Sequence, residues 1–228
     1  MNIWVITLAV MVASYIIQQV LQSKFSKYSR VPLPVSGAEV AARMLAAHGI
    51  HDVKITQISG TLTDHYNPES RTVNLSEEVY RGRSVAAAAV AAHECGHVVQ
   101  HATGYAPLKL RSALVPVVSF ASNWVQWVLL AGVVLISMFN TPVVLWIGIA
   151  LFAMTTFFSL ITLPVEIDAS RRALKWLDEN GITGTGETES TTAMARDALK
   201  WAAYTYVIAA IGSLATLLYY IAIANNRR

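Results

Sequence analysis

Charged residues are scarce in this chain, and they are unevenly distributed. Lysine, arginine, aspartate and glutamate make up 14% of the 228 residues, against about 25% in a typical soluble domain. Three stretches, 1–23, 112–165 and 201–226, contain no charged residue at all. Charge-free apolar runs longer than about 18 residues are typical of membrane-spanning helices. The sequence therefore predicts an integral protein of the lipid bilayer, and so apolar a chain is not disordered.

Cysteine is nearly absent as well. The lone Cys95 cannot form an internal disulfide, so nothing in the sequence requires an oxidising compartment. The net charge is only +3, and no basic stripe with interleaved aromatic residues is present. We therefore expect no nucleic-acid partner, and we attribute the basic residues beside the apolar stretches to membrane topology.

The apolar stretches predict about four transmembrane helices. The first occupies 1–23 and lacks the positive start and cleavage site of a secretory signal, so we expect an uncleaved anchor. The stretch 114–163 is too long for one span, and an Asn-Thr-Pro triplet at 140–142 predicts a hairpin of two helices. The fourth helix and its tail occupy 201–228.

Two polar segments, 24–113 and 164–200, lie between these helices. Because two spans separate them, both segments must face the same side of the membrane. They carry ten and five lysines and arginines, whereas the opposite face has only Arg227 and Arg228. The positive-inside tendency therefore predicts a multi-pass protein of the cell membrane with both polar segments in the cytoplasm.

The first polar segment contains clear local signals. Ser36 and Glu39 have the spacing of a capping box, which predicts the start of a helix. The β-branched residues within 53–75 predict a small β-ribbon. An alanine-rich helix is expected to run from Ser84 to about Thr103.

The second polar segment opens at Pro164, a residue that suits the first turn of a new helix. Apolar residues then recur at helical spacing until Gly181, where that helix is expected to end. A surface loop is expected at 182–190, followed by a helix that continues into the last span.

The most informative string, His93-Glu94-Cys95-Gly96-His97, lies on the alanine-rich helix. His93 and His97 are one turn apart on the same helix face, so both imidazoles can bind one ion. Zinc accepts nitrogen ligands, and in this pattern Glu94 serves as the general base rather than as a ligand. Cys95 points away from the histidine face, and we interpret it as a small buried residue.

A hydrolytic zinc site needs a third protein ligand, for which the sequence offers several candidates. His101 lies about 12 Å from His93 along the helix axis, so it is expected at the surface or as a hydrogen-bond partner of a ligand. His65 lies at the end of the predicted ribbon. Glu166 is favoured, because a carboxylate emerging at the end of a span is costly unless it is paired or bound to metal. Asp168 is the alternative ligand, or an acceptor that orients a ligand histidine.

For some of these residues an interpretation without a catalytic or metal-binding role also stays open. Glu166 and Asp168 can simply be acidic residues at a helix N-terminus, stabilised by the helix dipole. Tyr66 is a candidate donor to a developing oxyanion, but a tyrosine in a strand more often has a packing role.

Four segments of the sequence stand out together: Asp64–Pro68, Asn74–Glu77, His93–Gln100 and Leu163–Leu174. Their combination resembles the bacterial YugP-type family of membrane zinc metallopeptidases. More distantly, the chain is similar to the HtpX-type and CAAX-processing membrane metallopeptidases, in which a glutamate on a later helix completes the two-histidine site.

This resemblance implies that His93, His97 and Glu166 bind Zn²⁺ and that Glu94 is the base. The sequence departs from the pattern at two positions. Ser170 stands where the distant relatives have an acidic residue, so Asp168 is expected to take over that role or to bind the metal itself. Asn67 stands where the family pattern has an aspartate.

The sequence thus predicts a membrane α-helical protein with a small α+β zincin-like portion. We expect a zinc-dependent endopeptidase that acts near the bilayer surface on membrane or membrane-proximal proteins. The ribbon at 53–75 can hold an extended substrate by strand addition. The alternative is a catalytically silent zinc-binding membrane scaffold or quality-control partner, against which the intact Glu94 argues. A transporter is disfavoured, because no ionisable residue lies inside a predicted span.

Overall fold

The structure is a computed structural model, and it describes residues 2–184 and 190–225. Part of the loop predicted at 182–190, and both Arg227 and Arg228, lie outside the described residues. The described chain forms seven α-helices and one three-stranded sheet. In chain order the elements are α1 (Ile3–Tyr28), α2 (Gly37–Ala47), β1 (Lys54–Ile58), β2 (His65–Asn67), β3 (Thr72–Ser76), α3 (Glu77–Arg81), α4 (Val85–Ala102), α5 (Ala106–Phe139), α6 (Val143–Glu179) and α7 (Thr191–Asn225).

Four of these helices, α1, α5, α6 and α7, are long and apolar enough to cross a membrane. Large apolar side chains on these helices are exposed, including Trp4 at 75% and Trp127 at 67%. Exposed apolar surface of this extent is typical of helices that face lipid. The prediction of four candidate membrane helices is confirmed. The helices continue into the polar segments, because α1 extends to Tyr28 and α5 begins at Ala106.

The turn between α5 and α6 lies where the sequence predicts it. Helix α5 ends at Phe139, and Asn140 adopts a positive φ of 53°. Asparagine is one of the few residues that tolerate this left-handed conformation. The two helices then pack with their backbones close together, since a Cβ on Gly132 would lie 2.5 Å from the Cα of Leu145.

The prediction that Pro164 begins a new helix is wrong. Helix α6 runs without a break from Val143 to Glu179, with Pro164 inside it. A proline removes one backbone donor, which long membrane helices tolerate better than soluble ones. Val165, Ala169 and Ala173, which follow it at helical spacing, are completely buried. Packing of this face therefore outweighs the local preference for a break. The predicted end of the helix at Gly181, where φ is 64°, is confirmed.

The described residues divide into two compact units. One contains the described residues of 1–16, 109–164 and 205–228, which hold most of the apolar helix length. The other contains 17–108 and 165–204. This second unit, called the polar unit below, includes the sheet, helices α2 to α4 and all the candidate site residues.

The predicted ribbon is a mixed three-stranded sheet with the order β1-β3-β2. Strand β1 pairs in parallel with β3, and β2 pairs with β3 in the antiparallel sense. The segment 53–75 therefore does not form a simple hairpin. The physical reason lies in β3, whose Val73 and Leu75 are completely buried, so that this strand occupies the centre of the sheet. Strand β2 becomes an edge strand.

Helix α4 is the central element of the polar unit. Its hydroxyl cap is Ser84, whose Oγ accepts from the backbone N–H of Ala87. The alanines at 86, 88, 89, 91 and 92 are completely buried, so other elements pack closely around the helix. Helix α2 is one of these, and the predicted capping box of Ser36 and Glu39 at its start is confirmed. The result is a firmly held helix that carries both histidines.

Candidate metal centre

Helices α4 and α6 approach each other closely at Gly96. A Cβ at this position would lie 2.6 Å from the backbone oxygen of Ala169, a contact that real Cβ atoms essentially never make. Only glycine permits this approach. Glu166 precedes Ala169 by one turn of α6, so the contact brings its carboxylate toward the histidine face of α4.

The structure brings His93, His97 and Glu166 together. Each offers one potential ligand atom, and these atoms all lie within 4.8 Å of one another. The Nε2 atoms of His93 and His97 are 3.3 Å and 3.5 Å from Oε2 of Glu166. Two ligands that each lie about 2.0–2.1 Å from a tetrahedral zinc ion are about 3.3–3.4 Å apart. Two imidazoles and one carboxylate are also a donor set of catalytic zinc sites, so the group fits a zinc ion.

Gln100 holds the imidazole of His97. Its side chain is completely buried, and its Oε1 lies 3.1 Å from Nδ1 of His97. The amide nitrogen donates to the backbone oxygen of Val165 at 2.8 Å and to Oδ2 of Asp168 at 2.9 Å, which fixes the orientation of the amide. Because an amide oxygen only accepts, Nδ1 of His97 carries the hydrogen and Nε2 keeps its lone pair when the ring is neutral.

Ser170 lies in the corresponding place at the other imidazole. Its Oγ is 3.1 Å from Nδ1 of His93. Ser170, which stands where the distant relatives have an acidic residue, is therefore itself the hydrogen-bond partner of His93. Asp168 is not in the three-residue group that the described residues form. It lies against Gln100 and 2.6 Å from Nε of Arg172, so it reaches His97 only through the amide.

Glu94 is buried beside this group, with 8% of its surface exposed. Its Oε2 accepts a hydrogen bond of 3.0 Å from the backbone N–H of Tyr66. Tyr66 belongs to β2, so the edge strand of the sheet contacts the glutamate directly. Sequence reasoning missed this contact, because it depends on how the sheet packs against α4.

The remaining candidates lie outside the group. His101 is exposed, and its Nδ1 is 3.1 Å from the hydroxyl of Tyr66. His65 is exposed as well, with Nδ1 at 2.8 Å from the backbone oxygen of Thr63. Burial raises the pKa of the Tyr66 phenol above its ordinary value. Its hydroxyl is thus a neutral group that contacts His101.

Two pKa shifts describe the electrostatics of α4. Burial lowers the pKa of His97, but the hydrogen bond to Glu166 and the charges of Glu94 and Glu166 outweigh it, so the pKa is raised overall. Burial strongly raises the pKa of the Cys95 thiol, which lies 3.8 Å from the backbone oxygen of Ala41. Cys95 is therefore a protonated, buried residue that packs away from the group.

Sequence reasoning did not single out Gln100, and it gave Ser170 no role at the site. For Gln100 a signal was available, since a polar residue three positions after a ligand histidine lies on the same helix face. For Ser170 the signal is its place in the family pattern, but the sequence analysis assigns the role of the missing acid to Asp168.

The sequence of the chain is similar to those of known proteins. Residues 3–225 match the family described as "Putative neutral zinc metallopeptidase". The chain is also 42% identical over 225 residues to "Putative membrane protease YugP" of Bacillus subtilis (strain 168), which covers 98% of this chain and 96% of that protein. No solved structure matches the chain. Because both sequence matches extend over nearly its whole length, the protein belongs to the family described as "Putative neutral zinc metallopeptidase".

Proposed function

We propose that this protein is a zinc-dependent endopeptidase that cleaves membrane or membrane-proximal proteins. The observation that carries the proposal is the convergence of His93, His97 and Glu166 beside the buried carboxylate of Glu94. A structural zinc site needs no general base, so this carboxylate favours hydrolysis over a purely architectural role.

The side chains have distinct roles in the proposed reaction. A zinc ion held by His93, His97 and Glu166 supplies Lewis-acid chemistry, which polarises a carbonyl group and makes water more acidic. Glu94 accepts a proton from the attacking water and delivers it to the leaving amine. The N–H of Tyr66 holds Oε2 of Glu94, which leaves Oε1 to carry that proton. Gln100 and Ser170 hold the two imidazoles by their Nδ1 atoms.

The edge strand β2 suggests how a substrate is held. Strand β2 pairs with β3 along one edge, and the N–H of Tyr66 points from the other edge to Glu94. Because that N–H already donates to Glu94, an extended peptide beside this edge would run past the carboxylate and would need other main-chain partners. A helix with two histidines, an edge strand beside it and a carboxylate from a later helix together support a zincin-like arrangement for this part of the chain.

The place of Glu166 in the sequence supports substrates at the membrane. The charge-free stretch 112–165 ends directly before Glu166, so one proposed ligand is the first charged residue after this stretch along α6. The charge asymmetry between the two faces supports a cytoplasmic location for the polar unit.

The direct test is Glu94→Gln, which keeps the size of the side chain and removes the base. We expect the variant to hold zinc as the wild type does, and its cleavage of an unfolded reporter protein to fall by about 100- to 10,000-fold. Glu69→Gln, a change of the same kind at an exposed glutamate, should leave cleavage unchanged.

Two results would contradict the proposal. Wild-type cleavage by the Glu94→Gln variant would exclude Glu94 as the base. Wild-type protein that binds zinc but cleaves neither an unfolded nor a membrane-anchored reporter would favour the scaffold alternative.

A further inference from the structure

A basic groove lies between α6 and α7 within the polar unit. Its volume is about 390 Å³, which is within the range of small-ligand sites of about 300–1,000 Å³. Among the described residues, four cations and one acid line it: Arg171, Lys175, Arg196, Lys200 and Asp178. We propose that this groove binds the phosphate headgroup of an anionic phospholipid.

The protein compensates the charges of the groove only in part: Lys200 lies 5.6 Å from the ring centre of Tyr204 and near the charge of Asp197, but the other cations have weaker partners or none in the described part of the chain. Over the ranges 2–184 and 190–225, neither Arg171 nor Arg196 takes part in a salt bridge. Lys175 lies 3.8 Å from Glu179, and both side chains are largely exposed, so that ion pair is weak. Asp178 accepts a hydrogen bond from the hydroxyl of Thr192. An anion in the groove would therefore reduce the repulsion among the cations.

The groove also has an apolar wall. Ile167, Leu174, Leu199 and Ala203 line it beside the cations. Ile167 is 43% exposed, although it is a large apolar residue in a polar segment. An inorganic anion has no apolar part that could contact these side chains, whereas a phospholipid can pack its glycerol and upper acyl carbons against them. This combination favours a lipid over a free phosphate or an acidic peptide.

The place of the groove along the two helices agrees with a headgroup. The charge-free stretch of α6 ends at Val165, and that of α7 begins at Trp201. Ile167 and Ala203 lie at these two boundaries, and Lys175 lies about 12 Å further along α6. The polar region of one leaflet is about 5–8 Å thick, so the groove is long enough to span it. Basic pockets between membrane helices are a recurring form of headgroup site.

Membrane topology alone does not explain why these cations cluster in one groove. The positive-inside tendency requires positive charge near the spans, but it does not require four cations to line one groove with an apolar wall. Ser170, which contacts His93, also lines the groove, but lipid binding requires neither zinc nor a peptide, so it can be tested apart from the proposed peptidase activity.

The test uses the full-length protein, purified in a neutral detergent. Phosphatidylglycerol and phosphatidylcholine are titrated as mixed micelles, and bound lipid is counted by native mass spectrometry. The test variant is Arg171→Gln with Arg196→Gln. The matched control is Arg30→Gln with Arg43→Gln, which removes the same charge at two exposed arginines outside the groove.

We expect the wild type to retain phosphatidylglycerol in preference to phosphatidylcholine. The test variant should lose about 30-fold in affinity for phosphatidylglycerol, while the control keeps the wild-type affinity. Replacing Arg171 and Arg196 by lysine should restore binding, which separates a loss of charge from a loss of folding.

Three results would overturn the proposal. The first is equal binding of phosphatidylglycerol by the wild type and the Arg171→Gln, Arg196→Gln variant. The second is binding of inorganic phosphate as tight as that of the lipid, which would indicate a free-anion site. The third is displacement of the lipid by an equal concentration of an oligoglutamate peptide, which would indicate a protein partner.

Discussion

Replacing Gly96 by alanine is predicted to separate the candidate ligands without unfolding the protein. The new Cβ would lie 2.6 Å from the backbone oxygen of Ala169 and 3.1 Å from its Cα. Favourable contacts begin at about 3.5 Å, so α4 and α6 would have to move apart by about 0.9 Å. Both contacts are to backbone atoms, so no side-chain rotation relieves them. Metal sites hold their ligand distances to within about 0.2 Å, and Glu166 moves with Ala169.

The cost to stability should be small by comparison. Overpacking costs about 1–3 kcal/mol, and alanine gains about 1 kcal/mol over glycine in a helix interior. We therefore expect a net loss of at most about 2 kcal/mol in the free energy of unfolding. The zinc affinity should fall by at least about 100-fold, because loss of an outer hydrogen bond alone costs about 10- to 100-fold.

The assay is competition for zinc with a chromogenic chelator, beside thermal melting of the metal-free protein. Cys95→Ala is the control, because Cys95 is buried in the same helical turn and its Sγ lies 3.8 Å from the backbone oxygen of Ala41 in α2. Wild-type zinc affinity in Gly96→Ala would refute the reasoning. An equal loss of affinity in both variants would also refute it, because the effect would then not depend on the contact with Ala169.

Three further predictions concern the same part of the molecule and its topology. Gln100→Leu should weaken zinc binding by about 10- to 100-fold in the chelator assay, and an unchanged affinity would show that the amide does not orient His97. Zinc affinity should fall as the pH decreases through the raised pKa of His97, since only the neutral imidazole binds metal; an affinity that stays constant from pH 8 to 6 would contradict this. In the metal-free protein the same raised pKa stabilises the fold at low pH, and that contribution is lost as the pH rises through it. In intact cells an impermeant maleimide should label a Thr141→Cys variant, whereas it should label a Ser70→Cys variant only after lysis. The native Cys95 is buried and should stay unlabelled in both. The reverse pattern would place the polar unit outside the cell.

Features that depend on neighbouring residues were predictable from the sequence. The capping box needs only Ser36 and Glu39, three residues apart, and both of its hydrogen bonds form. The turn at Asn140 and the helix end at Gly181 each need one residue that tolerates a positive φ. In these places the local chemistry and the final structure agree.

Features that depend on packing were not predictable in the same way. Pro164 is a local signal for a helix start, but the buried face that follows it on α6 continues the helix. The parallel pairing of β1 with β3 requires a non-local choice that strand propensity does not encode. Gln100 and Ser170 become partners of the histidines only after Gly96 has set the distance between α4 and α6.

We propose that the imidazoles of His93 and His97 and the distant carboxylate of Glu166 hold a single ion. The most direct measurement is the zinc content and zinc affinity of the purified wild type beside His97→Ala, Glu166→Gln and the control His101→Ala. His101 lies one turn from His97 on the same helix, but it is exposed and outside the group. We expect one zinc per chain in the wild type and in the control, and loss of zinc from the other two variants. Stoichiometric, wild-type binding by Glu166→Gln would contradict the proposal.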